Sequence, residues 1–222
     1  MLIFHIITAE PEVFPGILNT SLIGKAKGKA WDIKLYNLRD YGIGKHKKID
    51  CKPYGGGPGL IIRADVIASA LNEIILNNSI DAAYYLSPKG ILLKQPLVFE
   101  IIKAKNIILL CGRFEGIDER VIKRYNLIEI SIGDYILTNG DIAAMVLMDT
   151  AIRLLPDVIG NTDSIIQDSF SSKDLHNTFY DYPSYTKPKI FDNIPVPEVL
   201  FSGNHAKIAK WRNIQSKLHN PY

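Results

Sequence analysis

Short apolar runs alternate with longer stretches in which apolar residues recur every three or four positions, and this alternation fills the first two thirds of the chain. The runs 2–8 (LIFHIIT), 33–37 (IKLYN), 82–86 (AAYYL), 106–111 (NIILLC) and 127–132 (LIEISI) are branched and nearly continuous, the pattern of strands buried on both faces of a parallel sheet. Between them the spacing predicts helices over roughly 14–29, 63–78, 94–105 and 117–126, and another that opens at Asp141 and is stopped by Pro156. A βαβα order of this kind implies a parallel sheet with helices on both faces, an α/β fold. After Pro156 the period is lost. Residues 157–172 are polar and read as a linker, 173–203 are rich in Pro, Tyr and Asn, and 204–220 regain a helical stripe of Ile208, Trp211, Ile214 and Leu218. The predicted organisation is therefore a main domain over 1–159, a linker over 160–172 and a small, mainly helical C-terminal domain over 173–222.

A length of 222 residues suits one large domain or one domain with an appendage. With 47% hydrophobic and 22% charged residues, global disorder is excluded. Two cysteines, Cys51 and Cys111, cannot build a disulfide scaffold or a four-cysteine zinc site, and a reducing cytoplasm is the expected setting. The first residues lack the basic and apolar regions of a signal peptide, and no run is long enough to predict a membrane span. Net charge is +3, and residues 171–222 hold seven Lys/Arg against four Asp/Glu, so the excess lies in the last quarter. A basic tail domain of this kind could meet a polyanion.

Neither G-x-G-x-x-G nor a P-loop follows the first predicted strand, where the chain reads TAEPEVFPG. Glycines cluster instead at later strand ends: SPKG (87–90), CGRFEG (111–116) and SIGDYILTNG (131–140). In a parallel sheet those ends lie on one edge, where ligands of open α/β sheets bind. A single such turn needs no ligand to explain it, but three in succession predict a pocket walled by backbone groups, suited to a flat polar ligand such as an adenine nucleoside. YGGGPG (54–59) follows the basic stretch GKHKKIDCK (44–52), and its reading stays open between a linker, a lid and a contact to a phosphate backbone.

PYGGGPG (53–59), YLSPKG (85–90), CGRFEGIDERV (111–121), SIGDYIL (131–137), DSF (168–170) and SGNHAKIAKWR (202–212) occur in the order found in bacterial tRNA (guanine-N1)-methyltransferases of the TrmD type, which the chain resembles over nearly its whole length. The resemblance implies a SPOUT fold, with a deep C-terminal trefoil knot in the α/β domain. It also implies a homodimer whose active sites are shared between subunits. The activity implied is methyl transfer from S-adenosylmethionine to N1 of the guanosine immediately 3′ of the tRNA anticodon, which supports reading-frame maintenance.

Carried over motif by motif, the S-adenosylmethionine pocket would comprise Tyr85, Leu86, Ser87, Pro88, Gly112, Glu115, Gly116, Ile132, Gly133, Tyr135, Ile136, Leu137 and Gly140. Asp168 matches the family's general base, although alone it would read as a helix N-cap. Arg153 matches the cation that faces guanine O6, although its place near a helix end also suits the helix dipole. The resemblance further implies a need for Mg²⁺, shared with substrate or donor, because no residue spacing here forms a dedicated cage. His205 reads as part of a helix start in the tRNA-contacting domain, and Trp211 as core. Cys51-Lys52 stands where Asp-Arg is common, and Thr138-Asn139-Gly140-Asp141 where Ser-Gly-Gly-Glu is common, so Asn139 occupies a glycine position. Many relatives continue further past the Trp211 helix, which predicts fewer C-terminal tRNA contacts. Two other readings stay open at this point: a SPOUT methyltransferase acting on another RNA base or ribose, and an RNA-binding module without chemistry.

Overall fold

The computed structural model describes residues 1–160, 169, 170 and 180–218. It divides into two units, Met1–Gly160 and Asn161–Tyr222. In the first, strands β1 (Leu2–Thr8) and β2 (Trp31–Asn37) are followed by the two-residue strands β3 (Asp50–Cys51) and β4 (Ile61–Ile62), then by β5 (Ala82–Leu92), β6 (Asn106–Cys111) and β7 (Ile128–Ser131). The helices are α1 (Ser21–Ala26), α2 (Ala64–Asn77), α3 (Gln95–Ile101), α4 (Glu119–Tyr125) and α5 (Asp141–Ile152). β1, β2, β5, β6 and β7 form one sheet in the order β2-β1-β6-β5-β7, and every pairing in it is parallel.

Successive residues of a strand point to opposite faces, so continuous apolar runs supply two cores. Phe4, Ile6, Ile107 and Leu109 belong to the core that includes Ala144, Leu147, Met148 and Ala151 of α5. Ile7, Ile108 and Leu110 belong to the other, with Val66, Ile67, Ala70, Leu71 and Ile74 of α2. Trp31 is fully buried, and its indole N–H donates to the Ile23 carbonyl at 2.9 Å.

The sequence pattern locates β1, β6 and α2 to within a residue or so, and fails at two places. The helix expected over 14–29 is instead a 3-10 turn at Pro11–Val13, a second at Gly16–Asn19 and the short α1. Pro15 is the physical reason: it holds the preceding Phe14 extended, with ψ 147°, and Gly16 follows at φ +54°. The strand expected to stop at 86 continues to Leu92. Leu86 and Ile91 both lie opposite Ile130 of β7, so residues 87–90 leave the ladder as a bulge and the strand then resumes.

In the second unit, β8 (Ile190–Phe191) and β9 (Ile194–Pro195) form a hairpin, with Asp192 and Asn193 at φ +47° and +63° as a two-residue hairpin turn demands. A 3-10 turn at Glu198–Phe201 leads to α6 (His205–Leu218). Asn204 caps this helix, accepting from Lys207 N at 3.0 Å. Ile208 and Trp211 are half-buried, whereas Ile214 is 48% exposed and leaves the expected stripe. Trp211 lies against Tyr185, and the Arg212 guanidinium sits 4.5 Å over the Tyr182 ring. Both cysteines are free, Cys51 exposed and Cys111 buried, and no described helix is long and apolar enough to cross a membrane.

Candidate active site

The carboxyl ends of β5, β6 and β7 turn into the three glycine-bearing loops, and between those loops lies a cleft of about 260 Å³. The bulge 87–90 makes one wall. Gly90 is required there, because a Cβ would fall 2.3 Å from the backbone of Glu129 and Ile130. Residues 112–116 make the floor, and 131–140 return from the edge strand β7 to close the far side. The return ends on a backbone contact in which Gly140 N–H donates to the Gly112 carbonyl at 2.8 Å. A Cβ on Gly140 would lie 2.8 Å from Gly112 N and 3.0 Å from Cys111 Cα, so only glycine permits this approach.

All thirteen residues that the motifs single out for the donor line this one cleft. Tyr85 is buried, and desolvation by that burial, with Glu129 nearby, pushes its phenol up to about 12, so it stays a neutral hydroxyl. Ile136 is 80% exposed, an apolar side chain held at the rim. Glu115 is exposed and carries no ion pair among the described residues. Its N–H donates to the Leu60 carbonyl at 3.0 Å, and a Cβ on Gly59 would strike its side chain at 2.4 Å. The YGGGPG loop is therefore seated on the cleft by its last glycine.

Three residues at or beside the cleft, Arg113, Asp141 and Cys111, are not among those the motifs name for the site. Arg113, inside CGRFEG, lines it and pairs with Glu10, while its guanidinium sits 5.6 Å from the centre of the Phe114 ring. Glu10 is 103 positions away in sequence, and nothing local could announce the pair. Asp141, at the start of α5, is only 4% exposed and accepts from the Thr8 hydroxyl at 2.6 Å. Burial raises its carboxyl pKa, opposed by the Thr8 bond, by a bond from Cys111 and by the charge of Arg113. The buried Cys111 thiol is pushed well up, chiefly by desolvation and then by Asp141, so it is held as an unreactive thiol. Asn139 is not among the residues with positive φ; its side chain accepts from Asp141 N at 3.3 Å and helps open the helix.

Arg153 is not brought to this cleft. It is the C-cap of α5 and lines a separate groove of about 660 Å³ with Ile17, Leu22, Ile142, Met145 and Val146. Asp168 lies outside the described residues. The Ser169 hydroxyl accepts from Asp181 N at 2.8 Å, and Phe170 packs edge-on against Tyr180 with ring centres 5.2 Å apart. His205 is exposed at the start of α6 in the second unit. No group of three or more His, Cys, Asp or Glu side chains that could hold a metal ion occurs among the described residues.

A family model described as tRNA (Guanine-1)-methyltransferase TrmD matches residues 2–220. Three curated relatives, each named tRNA (guanine-N(1)-)-methyltransferase, show how extensive the similarity is. The protein of Ehrlichia canis (strain Jake) is 46% identical over 213 residues, 96% of this chain and 89% of the relative. That of Pelagibacter ubique (strain HTCC1062) is 46% identical over 214 residues, covering 96% and 91%. That of Rickettsia akari (strain Hartford) is 45% identical over 221 residues, covering 98% and 94%.

Proposed function

The chain belongs to the tRNA (guanine-1)-methyltransferase family, and from that membership we propose how its cleft, its linker and a second copy of the chain share the methylation of N1 of a tRNA guanosine. The enzyme is a tRNA (guanine-N1)-methyltransferase, and the reaction is S-adenosylmethionine-dependent methylation of tRNA guanine. The observation that carries the site assignment is the convergence of loops from three strand ends on one cleft.

S-adenosylmethionine fits what the cleft offers. Backbone groups of 112–116 and 131–140 and the neutral Tyr85 suit an adenine nucleoside, and the exposed carboxylate of Glu115 suits a cationic centre. When bound, the sulfonium supplies a methyl group already activated for transfer to a nucleophile. The chain's task is to align N1 of guanine with that methyl and to take away the N1 proton. Asp168 receives the proton as the N1–carbon bond forms and the sulfur–carbon bond breaks. As N1 loses its proton, negative charge grows on guanine O6 and Arg153 answers it, until methylation of N1 discharges it. Any Mg²⁺ the reaction needs would be shared with substrate or donor.

Arg153 lies away from its own cleft, which supports a homodimer in which it serves the partner's site. The groove it lines supplies an apolar face for a second copy, with Ile17 76% and Leu22 50% exposed. The return of 132–140 from the edge strand β7 to β6, followed by α5, supports the trefoil knot of a SPOUT domain over 1–159. Residues 160–172 form the linker that carries the base, and 173–222 form the basic domain that contacts tRNA. The substrate guanosine is the one 3′ of the anticodon, its methylation supports reading-frame maintenance, and the setting is the cytoplasm.

The test is Asp168→Ala with purified tRNA. Methyl transfer should fall at least about 10²-fold, as for loss of a general base, while S-adenosylmethionine binding is retained. Undiminished turnover sinks the assigned base. Mass analysis of the nucleosides, with transcripts carrying G or A at the target position, should show N1-methylguanosine only from G.

A further inference from the structure

We infer that the basic hairpin 43–48, together with Lys52, is a docking surface on the Met1–Gly160 unit for the phosphate backbone of the tRNA; this rests on the methyltransferase reading above. Residues 1–170 carry no net charge, yet residues 44–52 hold four lysines against one aspartate, a local +3 equal to that of the whole chain. The charge is concentrated where the average hides it.

The hairpin is a preorganised support. Ile43 and Lys48 exchange both backbone hydrogen bonds, at 2.9 and 3.0 Å, and Lys47 N–H donates to the Gly44 carbonyl at 3.1 Å across the turn. Ile49, next in the chain, is buried in the second core, and its carbonyl accepts from Arg63 N at 2.9 Å. Lys45, Lys48 and Lys52 are exposed, and among the described residues none of the three has an ion-pair partner. Lys47 meets Asp40 at 3.4 Å. Two arginines near the base of this segment are occupied in contrast, Arg63 with Asp65 and Arg120 with Asp118. Like charges gathered on one short segment repel one another, and polyanion binding relieves that repulsion while releasing the counterions condensed on the nucleic acid.

The location links the surface to the chemistry. From Lys48 the chain enters β3, which pairs with β4, and the loop between them is YGGGPG. Its far end rests on Glu115 through the Leu60 carbonyl and Gly59. One ribbon, 43–62, therefore carries the lysines at one end and at the other rests on Glu115, which lines the cleft. Phosphates held by the lysines would place RNA on the element that contacts the cleft-lining Glu115.

The experiment compares wild type with the triple variant Lys45→Ala/Lys48→Ala/Lys52→Ala in equilibrium binding of unmodified tRNA over about 50–200 mM salt and in steady-state methylation. The slope of log K against log salt should fall by roughly two to three, about one per lysine. KM for tRNA should rise, while kcat and S-adenosylmethionine affinity hold, and a triple arginine variant should keep the wild-type slope. Unchanged slope and KM in the alanine variant, with wild type binding and methylating normally, overturn the docking surface alone. Wild type that neither binds nor methylates tRNA overturns the methyltransferase reading, and this inference with it.

Discussion

His5 shows what a single buried side chain costs and contributes. It lies fully buried in β1, with its ring nitrogens 3.1 Å from the Tyr36 hydroxyl and 3.2 Å from Asn106 Oδ1, and it stacks on the Tyr36 ring. Desolvation lowers its pKa below the usual 6.5, helped by Lys34 and opposed by the Asn106 bond. The folded protein therefore resists a proton that the unfolded chain accepts. The stability this confers is complete above 6.5 and drains away as pH falls through the folded value, at no more than about 1.4 kcal/mol per pH unit. Denaturant titrations at pH 7.5 and 5.5 should show this loss in wild type and a smaller one in His5→Gln; equal losses would refute it. Sequence alone presents His5 only as a polar interruption in an apolar run. Its partners are 31 and 101 positions away, and that distance is what kept its role hidden. The thirteen cleft residues were legible for the opposite reason: they sit in contiguous motifs at strand ends.

Among the elements, the segment 132–140 depends on a contact no local pattern predicts. Strand ends and glycine turns are readable from composition, but the meeting of Gly140 with Gly112 requires two loops to lie side by side. Gly140→Ala should push them apart. The overpacking should lower stability by about 1–3 kcal/mol and weaken S-adenosylmethionine binding more than a surface Gly→Ala change such as Gly160→Ala, where a Cβ meets nothing within 4 Å. Calorimetry of both variants, with and without the donor, checks this; equal behaviour would refute the close-approach argument. The bulge 87–90 was equally hidden. SPKG reads as the end of a strand, and only pairing with β7 on both sides of it shows that the strand continues.

For the whole molecule, the α/β class follows from the order of apolar runs, whereas the strand order β2-β1-β6-β5-β7 does not. Periodicity tells which face of a segment is buried and is silent about which strand lies beside it. Arg153 and the groove around it belong to this scale as well, since the use proposed for them requires a second chain. Ile142→Asp, at the groove, should convert a dimer of the 24.9 kDa chain into a monomer by light scattering and abolish turnover. A wild type that runs at the mass of one chain would remove the shared-site proposal. One feature of the sheet bears on how the protein is born. β1, the first strand made, has β6 as a central neighbour about a hundred residues later, and the cleft waits further still, for the return of Gly140. A nascent polypeptide on the ribosome therefore cannot close this cleft until the main domain is nearly complete, when Gly140 reaches Gly112.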